Sequence, residues 1–169
     1  MLARQIRRLS ACDEAIEWLR DKSFSDLQTM WDSCDRPEWL AWLIYRTSAA
    51  ESARRMRFIV LVTELVDLAF EDPLSPERAL SYMMTQYVTG SQSMVQVYDR
   101  GMAIMDRISD RTRSYYMAGE MLDVLVVPGH RCPDSGAYAV HRCARIIGKT
   151  ETLAIIHRHY PVPPFKVQQ

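Results

Sequence analysis

The chain has 169 residues, 48% of them apolar and 25% charged, and its 21 basic side chains balance 21 acidic ones. Such values describe a globular protein long enough to bury a core without staples, and they exclude a disordered or fibrous chain. Zero formal charge argues against a broad nucleic-acid-binding surface, which needs a basic excess to release phosphate counterions, and equally against an acidic mimic of DNA.

Met1–Leu9 carries arginines but lacks the apolar core of a secretory signal. There is no asparagine, and no Asp-Gly or Gly-Gly pair, so the strongest hairpin signals are missing while helix punctuation is frequent. Ser10-x-x-Asp13 predicts a helix start with Cys12, Ile16 and Leu19 on one face, and Ser23-x-x-Asp26 predicts the next. Asp35-x-x-Glu38, with Pro37 in the first turn, opens a third that carries Trp39, Leu40, Trp42 and Leu43. Thr47 or Ser48 is placed to cap a fourth helix over 49–70, apolar on nearly every side from Phe58 onward and therefore expected to be central and buried. That stretch is too short and too charged, with Glu64 and Asp67, to span a membrane.

Ser75-Pro76 predicts a fifth helix ending at Gly90. Met94, Val97, Gly101, Ile104, Met105 and Ile108 trace a stripe on a sixth, and 112–127 reads as a seventh. Pro128–Gly136 is irregular, helices follow near 137–147 and 150–159, and a three-proline tail is expected to run extended over 161–169. The expected architecture is all-α: a single domain over 1–160, a bundle of eight or nine helices around the buried 49–70 helix. Within it, 11–45 forms a Trp-rich module, with Trp39, Trp42 and Leu43 on one helix face turned inward toward Trp18 and Trp31.

Chemical motifs are sparse. His130, Cys132, His141 and Cys143 are zinc-compatible ligand types, but on a helix His141 and Cys143 point different ways, so unconnected residues are the expectation. Gly148-Lys149-Thr150 ends like a phosphate-binding loop, yet the required first glycine is Cys143. Cys132, Asp134 and Ser135 sit near two histidines without the geometry of a catalytic pair. Residues 36–46 are too apolar for a DNA-recognition helix. No enzyme activity, cofactor or metal is expected. Residues 130–169 carry six basic side chains against Asp134 and Glu151, the one place where a nucleic-acid-binding regulator would find a basic region.

Ala11-Cys12-x-Glu14-Ala15-x-x-Trp18-Leu19, followed by Trp31-x-x-Cys34-x-Arg36-x-x-Trp39-Leu40-x-Trp42-Leu43, resembles a module of small helical proteins from bacteriophages and bacterial mobile regions. Some of those proteins are described as immunity proteins. Asp72-x-x-x-Pro76-x-x-Ala79 and Glu151–Tyr160 are similar to their later segments, while Glu38 and Pro37 stand where aspartate and glycine are frequent. The resemblance implies a cytoplasmic protein, acting in a bacterial host cell, that binds and inhibits a host protein or defence complex in the manner of an anti-CRISPR protein. An immunity or antitoxin role is the alternative. Arg131, Arg142, Arg145, Tyr115, Tyr116 and Phe165 are the expected contact residues, and surplus apolar helix faces leave room for a homodimer.

Overall fold

Local sequence places the helix boundaries, and the computed structural model shows how each is capped. The structure describes residues 2–48, 52–108, 113–125 and 134–164. Its helices are α1 (Leu2–Arg8), α2 (Asp13–Lys22), α3 (Leu27–Ser33), α4 (Pro37–Ser48), α5 (Ser52–Ala69), α6 (Pro76–Val88), α7 (Met94–Met105), α8 (Arg113–Leu125), α9 (Ser135–Ile147) and α10 (Lys149–His159). No strand occurs among the described residues, as the all-α expectation requires. The extra element relative to sequence is α1, a seven-residue helix whose start carries no capping side chain to announce it.

Three expected caps fall elsewhere than their motifs suggest; Thr47 and Ser48, placed to cap the 49–70 helix, belong to the last turn of α4. Ser10 has φ 68° and closes α1, so the N-cap of α2 is Cys12, without a side-chain cap bond. Ser23 closes α2 in the left-handed region, and Asp26 is the residue that caps α3. Its Oδ1 accepts from the Thr29 backbone N–H at 2.8 Å. That bond, with help from the Ser25 and Thr29 hydroxyls, lowers the carboxyl to about 2. Ser75 caps α6 as expected, and Ser93 with Gln96 forms a reciprocal capping box on α7. Ser135 and Gly136, read as loop from sequence, belong to the first turn of α9. Asp134 precedes it as the N-cap, and 128–133 of that expected irregular segment lie outside the described residues, as do 49–51 between α4 and α5.

Phe58, Ile59, Leu61, Val62, Leu65 and Val66 of α5 are buried, and α5 packs against α4, α6, α8, α9 and α10. It is not apolar contact all round, however. Val60, Asp67 and Leu68 form an exposed stripe beside the partly exposed Glu64. The two acids on that stripe are committed to neighbours. Glu64 pairs with Arg158 and, at 2.7 Å, with Nε2 of His159 on α10. Asp67 pairs with Arg78 and accepts from the Ser81 hydroxyl at 2.7 Å on α6.

The end of α10 ties the first helices to the core. Trp31 Nε1 donates to the Tyr160 carbonyl at 3.0 Å, and the Tyr160 hydroxyl donates to the Arg54 carbonyl at 3.0 Å. Both side chains are buried, so these bonds satisfy groups that would otherwise be left without water or partner. Burial also pushes the Tyr160 phenol well above its ordinary range.

A close approach that positions α9 is at Gly136. A Cβ there would stand 2.8 and 2.9 Å from Phe58 Cε1 and Cζ and 3.2 Å from Tyr45 Cγ, both rings being buried. Gly136→Ala is therefore expected to destabilise. Overpacking costs about 1–3 kcal/mol, which outweighs the helix-propensity gain of at most about 1 kcal/mol. Thermal unfolding followed by circular dichroism should show Tm falling by about 2–4 °C per kcal/mol lost; an unchanged or higher Tm would show that α9 can shift freely.

Candidate functional site

Four of the residues singled out from sequence, His130, Arg131, Cys132 and Phe165, lie outside the described residues. The two zinc-compatible residues that are described diverge. His141 is exposed on the outer side of α9, and Cys143 is fully buried on its inner side, where burial pushes the thiol up to about 12. Two positions apart on a helix, they subtend an angle that prevents a shared ligand sphere. Among the described residues no group of three or more His, Cys, Asp or Glu is arranged to hold a metal ion.

Arg142, Tyr115 and Tyr116 do come together. Arg142 Nε donates to Glu120 Oε2 at 2.7 Å, and its guanidinium lies 5.7 Å from the Tyr116 ring centre. The Tyr115 and Tyr116 rings meet edge to face at 5.9 Å. Burial raises the Glu120 carboxyl, and the Arg142 hydrogen bond opposes that rise. Tyr116 remains 47% exposed, so the pair fixes an arginine and displays an aromatic face. Arg145 is exposed one turn further along α9.

The larger feature was not legible as a site. A cavity of about 410 Å³ opens between α1, α2, α3, α4 and α9, and Trp18, Trp39 and Trp42 line it. The twelve residues Trp31–Trp42 thus split their three tryptophans by function in the fold. Trp31 is fully buried and turns away from the others, its ring 6.0 Å from His157 of α10. Trp39 meets Trp18 edge to face at 5.6 Å, as its spacing suggested, but both stay partly exposed at the cavity wall. Leu40, Ala41, Ile44 and Tyr45 already fill the core face of α4, which leaves Trp39 and Trp42 on a second apolar face. That surplus was the available signal.

Charged groups organise the rim. The Arg36 guanidinium lies 4.7 Å from the Trp39 ring centre, donates to Glu38 Oε1 at 2.7 Å and to Glu14 Oε1 at 3.1 Å. Glu38 Oε2, by contrast, is buried and has no hydrogen-bond partner among the described residues. His141 Nδ1 stands 4.0 Å from it, beyond hydrogen-bond range. Asp134, the N-cap of α9, lines the cavity without making a side-chain cap bond. Cys34 is buried, donates its thiol to the Arg36 carbonyl at 3.6 Å, and is pushed up to about 11 by burial, so it stays protonated at neutral pH. Cys12, expected on one face with Ile16 and Leu19, is instead exposed at the cavity edge, while those two are buried. The arrangement can grip an apolar group and answer a polar one.

On α9, Asp134, Tyr138, His141 and Arg145 recur at helical spacing and form the outward stripe between this cavity and the Arg142–Tyr116 pair. One surface therefore joins the residues expected from sequence to those that were not. No protein-family model, curated protein or solved structure matches the chain.

Thiol chemistry tests this geometry directly. In a Cys132→Ala background, a water-soluble aromatic disulfide reagent should titrate Cys12 rapidly in the folded protein, while Cys34 and Cys143 react only in denaturant. Rapid reaction of a second thiol under native conditions would contradict the burial assigned to α4 or α9.

Proposed function

We propose that this chain is a phage- or mobile-element-encoded accessory protein that binds and inhibits a bacterial protein, without catalysing a reaction of its own. The observation that carries the reading is the surface just described: three partly exposed tryptophans, the half-exposed Tyr138 and Tyr116, and Arg142 held in place by Glu120. Trp, Tyr and Arg are the side chains that dominate binding energy at protein interfaces, because they offer large contact area with little rotamer entropy to lose. An exposed array of them on helices, rather than on loops, is organised before a partner arrives.

The helices are taken as one domain over 1–160, a bundle gathered around α5, with the 161–169 tail beside it. Inhibition of a defence complex, in the manner of an anti-CRISPR protein, is the sharpest form of the proposal; an immunity protein holding a toxin would use the same surface. The charge pattern favours a protein over a nucleic acid. Of the basic side chains in the C-terminal region, Arg142 is paired with Glu120 and Arg158 with Glu64, which removes two cations from any phosphate-binding patch. No helix among the described residues is long and apolar enough to cross a membrane. Leu68, Leu74, Tyr82 and Val95 are exposed apolar side chains remote in sequence from the site, and they leave a place for a second copy of the chain.

Tagged protein expressed in bacterial hosts should co-purify one stoichiometric partner. Tyr138→Ala and Trp42→Ala, each with unchanged circular dichroism, should weaken that complex by about 30-fold, the equivalent of about 2 kcal/mol at a hot spot. Restored plasmid uptake in a host with an active CRISPR system would identify inhibition of defence, and rescue from a co-expressed toxin would identify immunity. Recovery of no partner across several hosts, or retention of the partner by both variants, would overturn the reading.

A further inference from the structure

We infer that the tryptophan-lined cavity is the seat of a guanidinium group, an arginine side chain that the bound protein inserts between α4 and α9. This deepens the protein-binding reading and rests on it for the source of the arginine. Four observations converge. The cavity has flat aromatic walls, Trp18, Trp39 and Trp42, and a volume of about 410 Å³, ample for an arginine stem and head. Its charged lining is acidic among the described residues: Glu38 and Asp134 face it, and no described lysine or arginine does. Each of those carboxylates has unused capacity. Glu38 Oε2 is buried without a donor, and Asp134 leaves its own helix uncapped. Finally, the wall has already accepted this kind of guest, since Arg36 stacks 4.7 Å from the Trp39 ring centre and bonds the other oxygen of Glu38.

A guanidinium suits the site better than an ammonium. Its plane stacks on indole, and its N–H groups diverge far enough to donate to two carboxylates at once, whereas an ammonium is a compact, strongly hydrated point charge. A rotation of the Glu38 carboxylate would bring Oε2 to the cavity face, where a guanidinium N–H would supply the donor that His141, at 4.0 Å, does not. The apolar stem would lie on Trp42 and Leu43.

The probe is n-butylguanidinium, compared with n-butylurea, which has nearly the same shape and no charge, and with pentanoate. Butylguanidinium should give a saturable change in tryptophan fluorescence and should protect Cys12 from the thiol reagent in parallel. Butylurea should bind about tenfold more weakly, the value of a charge-assisted hydrogen bond at a partly wet site, and pentanoate not at all. Asp134→Asn and Glu38→Gln should each weaken butylguanidinium by several-fold with circular dichroism unchanged; Asp134→Asn leaves the Arg36–Glu38 pair intact and so tests the charge without disturbing the rim. Equal binding of the urea, no saturable binding of butylguanidinium, or undiminished binding by both variants would each overturn the inference. A co-purified partner that binds while butylguanidinium does not would refute the guanidinium seat and leave the protein-binding function standing. Saturable butylguanidinium binding with no protein partner would do the reverse.

Discussion

The separation between α9 and the α4–α5 pair governs everything at the cavity, and a missing Cβ sets it. Gly136 lets the first turn of α9 rest on Phe58 and Tyr45 at a distance no other residue would tolerate. With that end pinned, Ser135 reaches Asp123 at 2.9 Å and Arg142 reaches Glu120 at 2.7 Å on one side. On the other side, Ala137, Tyr138 and His141 become the wall opposite the tryptophans. The far end of α9 stops at Gly148, whose φ of 94° turns the chain into α10 without a strained side chain. A helix clamped at both ends can present its outer stripe in a fixed register, which is what a binding surface asks of its scaffold.

The helices were legible because their signals are local. Capping residues, Pro37 and Pro76 at helix starts, and apolar spacing act within a few residues of where they are read, so starts such as those of α4 and α6 need no tertiary information. The errors are of the same local kind: Ser10 and Ser23 have good cap chemistry but close the preceding helix, leaving Cys12 and Asp26 to open the next. The cavity was not legible because a tryptophan at helical spacing says that a face is apolar, not whether the neighbouring helix arrives to cover it. Trp31 is covered because α10 delivers the Tyr160 carbonyl to its indole N–H. Trp39 and Trp42 have no helix that seals them, and α9 approaches only to make the opposite wall. Coverage is a property of residues a hundred positions away. Spacing within α4 carries no record of it.

Overall neutrality conceals a separation of charge that the fold produces. Residues 130–169 are basic in sequence, yet α9 contributes Asp134 to the cavity and turns Arg142 toward Glu120 on the opposite flank. Arg158 is drawn to Glu64, and Arg78 to Asp67. These pairs are partly exposed and individually worth little to stability. Their consequence is distribution: cations are tied to α5, α6 and α8, while the described lining of the tryptophan cavity carries the carboxylates of Glu38 and Asp134. A buried acceptor that finds no donor costs about 1–3 kcal/mol, and Glu38 Oε2 has none among the described residues.

That cost also explains why Arg36 does not simply complete the site from within. Its Nε and one terminal nitrogen are held by Glu38 Oε1 and Glu14, and its plane is held by the Trp39 ring, so three contacts fix it on one side of the Glu38 carboxylate. Swinging to reach Oε2 would break two charge-assisted bonds to make one. His141, the nearest other donor, stays 4.0 Å away because the α9 backbone from which it projects is pinned by Gly136 and by the Arg142–Glu120 bond. The same constraints that make the rim rigid therefore keep it unsatisfied. A guanidinium seated against the wall of Trp18, Trp39 and Trp42 would meet a rim already fixed in place, and so would lose little in ordering it.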